Sequence, residues 1–428
     1  MLNSASLQVV NASKFSQHFV RPCYDSYCFS NLPSTIEFLL TGTGQMALPR
    51  DILGDLPNRY NKVIFFFIDA FGWRFFERYA EKYSFLKTIL AHGVVSKLTS
   101  QFPSTTAAHV TCMHTGLNVG QSGVYEWNYY EPLVDEIISP LTFSYAGDKL
   151  KRDTLKNSGI SANAFFPTQT FYETLKAQGI ESHVLQHQAY TPSTYSDIVF
   201  RGATTHPYRT LQDALIRLVE LVTAPGTAPA YYFLYFDRID TVCHNQGPAS
   251  KGFDEAVDAC LTLMDKVFYK GLHGKASDTL LMMTADHGQV EVNPLRVYYL
   301  NQRMPDISNA LKVNQKGHLL APAGSARDMF LHIKEPHVES VVTELRQRLQ
   351  YKAEVHNTQE LLAQNFFGTE EPTQIFQDRV GNVVILPYKN ETVWWYEEGK
   401  FDMHFQGHHG GLTPEEMEIP LLLLPLSS

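Results

Sequence analysis

Four short segments of this sequence carry residue types that do chemistry together. The first is Phe67-Ile-Asp69-Ala-Phe-Gly72, a carboxylate followed by a turn glycine. The second, Phe102-Pro-Ser-Thr-Thr106-Ala-Ala-His109, sets a cluster of hydroxyls before a run of small residues. The third, Asp240-Thr-Val-Cys-His244-Asn-Gln-Gly-Pro248, spaces Asp and His four apart. On a helical turn that spacing puts both on one face, where they can hold one ion. The fourth is Asp286-His287-Gly288, joined late in the chain by His408-His409-Gly410-Gly. Taken singly, each has a packing explanation: an Asp at a strand end or a Ser/Thr before a helix is an ordinary N-cap. Their joint occurrence is much harder to explain by packing.

Cleavage of a phosphate ester needs such a set. The ester is anionic and repels an anionic nucleophile. Two divalent ions about 4 Å apart activate the nucleophile, stabilise the leaving oxygen and neutralise the phosphoryl oxygens. Mixed His and Asp ligands favour zinc. Thr106 would stand at a helix N-terminus, where backbone amides favour anions.

These groups must be held by a common scaffold. Lys62–Asp69, Tyr231–Phe236 and Thr279–Ala285 are short, unbroken apolar runs, each followed by Asp or Asp-His. Such runs suit central parallel strands buried on both faces. Helical segments alternate with them: Trp73 to about Leu90, Leu211–Val222 and Phe253–Phe268. Strand, polar loop and helix in alternation predict a doubly wound, mostly parallel α/β sheet. Ligands of such sheets gather at the carboxyl ends of the strands. The texture changes from about Val290 to Lys400, where strands at Arg327–Ile333, Arg379–Pro387 and Thr392–Tyr396 and a helix at Val338–Leu349 predict a small α+β insertion. A last strand is expected at Ile419–Leu424. The expected organisation is an N-terminal segment over 1–58, a catalytic α/β core over 59–289, the insertion over 290–400, and a return to the core over 401–428.

The bulk properties narrow the function. The chain has 428 residues, 44% hydrophobic and 18% charged, with a net charge of -9. That balance is globular. The acidic sign argues against a protein that coats nucleic acid, which needs a basic face. It permits a phosphorylated small-molecule substrate, because bound divalent ions reverse the local field. The N-terminus has no basic start followed by an apolar run, so no secretory signal is expected. No apolar run is long enough to span a bilayer. Cys23, Cys28, Cys112, Cys243 and Cys260 form no disulfide or zinc framework by spacing. Reduced thiols and a cytoplasmic compartment are the expectation.

From Val63 to the C-terminus the chain resembles the type I phosphodiesterase/nucleotide pyrophosphatase branch of the alkaline phosphatase superfamily. That family's nucleophile lies three residues after a Pro and ten before the Gly of a Thr-Gly pair. Thr106 meets both spacings, to Pro103 and Gly116; Thr105 meets neither and is the second choice. The family's Asp-x-x-x-His-x-x-Gly-Pro matches Asp240, His244, Gly247 and Pro248; its Asp-His-Gly matches Asp286, His287 and Gly288; its late His-Gly matches His409 and Gly410. The resemblance implies an alkaline-phosphatase-like fold and two metal sites. Asp240, His244 and His409 would hold one ion. Asp69, Asp286 and His287 would hold the other, with Thr106 oxygen as a further ligand. The implied mechanism is double displacement through a phospho-threonine. His408 could substitute for His409; His404, His109 and His114 are weaker ligand candidates, and Asp237 suits a supporting role.

The sequence departs from the family pattern in places. Ala107 follows Thr106, where the nucleotide-cleaving branch usually has Phe or Asn. Asn128 matches the family's phosphate-binding amide with the register off by one. A phosphomonoesterase or another diesterase therefore fits too. The cluster Tyr125, Trp127, Tyr129 and Tyr130 suits stacking on a flat group, or a packed core or lid. A sulfatase is disfavoured, since Phe102–His109 lacks the Cys/Ser-x-Pro-x-Arg pattern. A phosphoglycerate-mutase-like enzyme generally uses Ser where Thr106 stands. A catalytically silent binding protein on this fold would be expected to lose a ligand or the nucleophile.

Overall fold

Residues 63–68 cannot face solvent on either side, and all six are fully buried. Burying each of Phe65, Phe66 and Phe67 contributes roughly 1.5–3 kcal/mol. In the computed structural model, which describes residues 1–148, 151–226 and 228–426, this segment is the central strand. Seven strands form the main sheet: β1 (Lys62–Ile68), β2 (Val94–Thr99), β3 (Glu181–His187), β4 (Thr204–Tyr208), β5 (Ala230–Phe236), β6 (Thr279–Thr284) and β7 (Glu418–Leu426). Their order is β2-β7-β6-β1-β5-β3-β4. β1 runs parallel to both β5 and β6, while β7 runs antiparallel between β6 and β2. This is the expected doubly wound, mostly parallel α/β sheet. It adds three strands that the apolar runs did not reveal: β2, β3 and β4.

Several expected elements are divided. The Trp73–Leu90 stretch forms two helices, Trp73–Tyr79 and Ser84–His92. After buried Phe75, Phe76 and Tyr79, the same helical face would next present Lys82 and Tyr83, so the apolar period breaks there. The Phe253–Phe268 helix is Lys251–Leu263, continued by a π-helical turn over Met264–Tyr269. The strand expected at Arg379–Pro387 begins only at Val383, because Gln374–Arg379 is helical.

Val290 to Met403 supply a second hydrophobic cluster. Its centre is an antiparallel sheet in which Val383–Pro387 pairs with both Met329–Leu331 and Ala353–Asn357. Side chains alternate across it with a period of two. Phe330, Val384 and Leu386 join the main core, while Met329, Leu331, Val383 and Ile385 join the second cluster. The small sheet is therefore sandwiched and bound to the main core along one face.

The five cysteines are buried and unpaired. No helix among the described residues is long and apolar enough to cross a membrane.

Candidate active site

The carboxyl ends of β1, β5 and β6 converge as expected. Asp69 directly follows β1, and Asp286 and His287 follow β6 after Ala285. β5 runs through Asp237 into the Arg238–Gln246 helix, which carries Asp240 and His244 one turn apart. The loops after β1 and β6 approach backbone to backbone. A Cβ on Gly72 would lie 2.6 Å from Gly288 Cα, so only glycine allows this contact. Ala70 takes a left-handed φ of 63° and donates its backbone N–H to Asp286 Oδ1 at 3.1 Å. One loop thereby fixes a carboxylate of the other.

Thr106 opens the Thr106–Thr115 helix, with Thr105 as N-cap and Gly116 closing it at φ 78°. The expectation for this segment holds: the hydroxyl stands at a helix N-terminus. Thr106 Oγ1 lies 3.4 Å from Asp69 Oδ2 and 3.3 Å from His287 Nε2. Thr105 instead receives His109 Nδ1 on its backbone carbonyl, at 2.7 Å.

Two groups of potential ligands stand side by side. Asp240, His244 and His409 offer atoms within 4.8 Å of one another, and so do Asp69, Asp240 and His287. Asp240 belongs to both. Asp286 adjoins the second group, its Oδ2 lying 3.2 Å from His287 Nε2. The other separations are 3.4 Å for His244 Nε2–Asp240 Oδ1, 3.8 Å for His409 Nε2–Asp240 Oδ1 and 3.5 Å for His287 Nε2–Asp69 Oδ1. Tetrahedral zinc with bonds of about 2.0–2.1 Å places neighbouring ligands roughly 3.3 Å apart. Two further features fit cations. Asp69 Oδ1 and Asp286 Oδ2 are buried and have no hydrogen-bond partner among the described residues. All three imidazoles turn Nδ1 to a backbone carbonyl: His244 to Gly407 at 2.8 Å, His287 to Gly288 at 3.0 Å and His409 to Ser104 at 2.9 Å. That arrangement sets the tautomer and leaves Nε2 free to coordinate.

Burial dominates the electrostatics. It pushes Asp240 up to about 8 and Asp286 to about 7, and it raises Asp69 well above the carboxylate range with help from Asp286 and Asp240. It lowers His244 to about 4 and holds His287 and His409 well below their ordinary value. Without cations, burial favours the neutral form of the carboxyls and of the imidazoles alike.

The remaining candidates separate by surroundings. His408 accepts the His409 N–H on its Nδ1 at 2.9 Å and lies outside both ligand groups. His109 is fully buried between Thr105 and Ser100, His114 is bonded to the Tyr172 hydroxyl, and His404 is exposed beside Asp402. Asp237 accepts from the Tyr190 hydroxyl. Asn128 is not brought into the cluster. Its Oδ1 accepts from Ser139 Oγ at 2.7 Å, because the adjoining strand Tyr129–Glu131 pairs with Glu136–Ser139. Trp127, one residue earlier, lines the cavity beside Thr106. Tyr125 and Tyr129 stack on each other in the core.

Supporting residues outside the expected ligand set also emerge. Tyr235 donates to Asp69 Oδ2 and Gln289 Nε2 donates to Asp240 Oδ1, each at 2.5 Å. Gln289 lies next to the Asp-His-Gly motif, and that proximity was its one available signal. Arg327 and Glu416, both fully buried, form a two-pronged ion pair at 2.9 Å on each prong. Glu416 also accepts from the Gly411 and Thr413 backbones, so it anchors the loop that carries His409.

The fold is alkaline-phosphatase-like, with a threonine hydroxyl and paired acid–imidazole groups gathered at the strand ends. Residues 63–412 match the family described as type I phosphodiesterase/nucleotide pyrophosphatase, and the chain belongs to that family. Among solved structures it is similar to murine ectonucleotide pyrophosphatase/phosphodiesterase 5, with a TM-score of 0.63 and 17% identity over 85% of this chain and 88% of that one. An inactive variant of the murine protein, in complex with AMP, gives the same values. The human counterpart gives a TM-score of 0.58 and 16% identity, with the same coverage. Comparison with curated proteins finds no significant match.

Proposed function

We propose that this chain hydrolyses phosphodiesters, with Thr106 as nucleophile and two divalent ions, zinc in preference to manganese, as cofactors. Asp240, His244 and His409 would hold one ion; Asp69, Asp286 and His287 would hold the other, beside Thr106. The observation that carries the reading is the position of Thr106 Oγ1, at a helix N-terminus and 3.3–3.4 Å from His287 Nε2 and Asp69 Oδ2. When bound, the ions supply Lewis-acid charge that offsets the phosphoryl oxygens and favours ionised threonine.

The chain's own groups do the rest. The start of the Thr106–Thr115 helix adds partial positive charge where the phosphoryl group arrives. Thr106 Oγ1 attacks phosphorus in line. Its new O–P bond forms as the bond to the leaving group breaks, and the leaving oxygen departs with the electron pair and takes a proton. Water then displaces threonine oxygen from the phospho-threonine, so configuration at phosphorus is retained overall. The murine neighbour supports the reading, because its inactive variant binds AMP; nucleotide esters are the first natural class to try.

The test compares initial rates on bis(p-nitrophenyl) phosphate and p-nitrophenyl phosphate with zinc-reconstituted protein. A diester preference that disappears in Thr106→Ala at unchanged zinc content is expected. A monoester preference would make the protein a phosphatase. Undiminished turnover in Thr106→Ala would remove the nucleophile assignment.

A further inference from the structure

The cavity that Thr106 lines measures about 200 Å³, and part of its wall has no task in the displacement chemistry. Gln186, on β3, lines it at 8% exposure, and its Oε1 is buried with no hydrogen-bond partner among the described residues. A buried amide oxygen left unpaired costs about 1–3 kcal/mol, so its place on a cavity wall points to a donor on a ligand. Arg152, exposed, lines the same cavity with its guanidinium carbon 5.7 Å from the Tyr190 ring centroid. Its neighbouring carboxylate, Asp153, is engaged by Lys156 at 2.8 Å and Thr194 at 2.7 Å. Arg152 makes no ion pair with a described residue. Tyr190 is held by its hydroxyl on Asp237, which fixes the ring under the guanidinium. Trp127 completes the wall and is 46% exposed, leaving a large aromatic surface uncovered at the opening.

We propose that this pocket holds the organic group of the phosphate ester, and that Arg152 selects esters whose organic group is a flat ring system carrying a second anion. The inference rests on the proposed hydrolytic reading of Thr106. Trp127 and Tyr190 offer π-faces to a ring, and Gln186 offers its amide to a ring or sugar donor. The guanidinium is a planar fork suited to phosphate or carboxylate. A plain acyl chain would leave Gln186 unpaired. A nucleotide ester with an additional phosphate on its sugar satisfies all four side chains.

The experiment measures binding by calorimetry to the zinc-loaded full chain, with AMP, adenosine 3′,5′-bisphosphate and glycerophosphocholine as probes. The bisphosphate is expected to bind about ten-fold more tightly than AMP, the scale of one charge-assisted contact. In Arg152→Gln that preference should vanish while AMP weakens less than about three-fold; Arg152→Lys should restore part of it. Zinc content and melting temperature identify any variant that misfolds. Equal binding of AMP and bisphosphate, persistence of the preference in Arg152→Gln, or tighter binding of glycerophosphocholine would overturn the proposal. Hydrolysis of bis(p-nitrophenyl) phosphate is measured in parallel. Hydrolysis without a bisphosphate preference defeats the pocket alone. A preference without hydrolysis upholds the pocket as a binding site and defeats the catalytic reading.

Discussion

Tyr235 donates its phenolic hydrogen to Asp69 Oδ2 at 2.5 Å, on the same oxygen that Thr106 Oγ1 faces at 3.4 Å. One carboxylate oxygen is thus oriented by the phenol, while the other, Oδ1, has no hydrogen bond among the described residues and faces His287 Nε2 at 3.5 Å. The phenol's own ionisation is pushed well up by burial and by Asp69, so it remains a donor throughout the working range. Tyr235→Phe should leave Asp69 free to rotate. Loss of such an orienting contact typically costs 10–100-fold in metal affinity or activity. Zinc competition with a chelator, together with kcat, measures it; unchanged zinc affinity would deny Tyr235 a positioning role.

Asp240 lies in both ligand groups, whereas His244 lies in one. Asp240→Asn should therefore remove a ligand from the site it forms with His244 and His409 and weaken the neighbouring site by loss of an adjacent carboxylate, whereas His244→Ala should affect the first site alone. Elemental analysis of the two purified variants distinguishes these outcomes. Equal loss from the two would show that Asp240 does not influence the neighbouring site.

Metal removal should change the pH dependence of stability. Asp240 and Asp286, raised to about 8 and 7, hold protons in the folded metal-free chain that the unfolded chain has released above about pH 4. From about pH 4 to 8 the folded state therefore binds more protons than the unfolded one at these carboxyls, and their contribution makes stability fall as pH rises over that window. Below about 6.5 the buried histidines act in the opposite direction. His109, His114 and His244 titrate near 3–4 when folded, so the unfolded chain takes up more protons and acid also destabilises. Below about 6.5 the two contributions oppose each other; above it only the carboxyls act, so the metal-free chain should lose stability from about pH 6.5 to 8. Zinc should abolish the alkaline decline, because ionised ligands are then paired with cations. Melting curves from pH 6 to 8.5, with and without chelator, test this; an alkaline decline that survives zinc would refute it.

Glu416→Gln should unfold the His409 loop's anchor. Removing one partner of a buried ion pair leaves the Arg327 charge uncompensated and typically costs 3–5 kcal/mol. A lower melting temperature should come with reduced zinc content, since Glu416 holds the Gly411 and Thr413 backbones next to His409. A fall in melting temperature with full zinc occupancy would limit Glu416 to a structural role.

Much of the site was legible because its groups lie in short local patterns. Asp240 and His244 share one helical turn, Asp286 and His287 are adjacent, and Thr106 keeps a fixed distance from Pro103 and Gly116. The central strands were legible because both faces of β1, β5 and β6 are covered, so their residues are almost continuously apolar. β3 and β4 escaped notice because they lie at the sheet's margin and mix exposed with buried positions, as Glu181-Ser-His and Thr204-Thr-His show. Tyr235 and Arg327 were legible only as strand residues and Gln289 only as a neighbour of Asp-His-Gly, since their roles arise from contacts across the fold. Asn128 illustrates the limit of spacing arguments. A one-residue offset is decided by strand pairing with Glu136–Ser139, which its own neighbourhood in the chain does not encode.

β7 has a consequence for how the molecule is made. This strand enters between β2 and β6, so residues 418–426 fill an interior slot of a sheet whose other members lie at least 134 positions earlier (418 − 284). While a ribosome is still translating the preceding segment, β2 and β6 each expose an open edge, and neither can close against the other. The growing chain thus passes through a long interval with two unsatisfied edges, the condition under which strands pair with the wrong partner. Chaperone demand should peak late in synthesis and fall only when β7 emerges, and a chain halted before residue 418 would lack a closed sheet however complete its earlier strands.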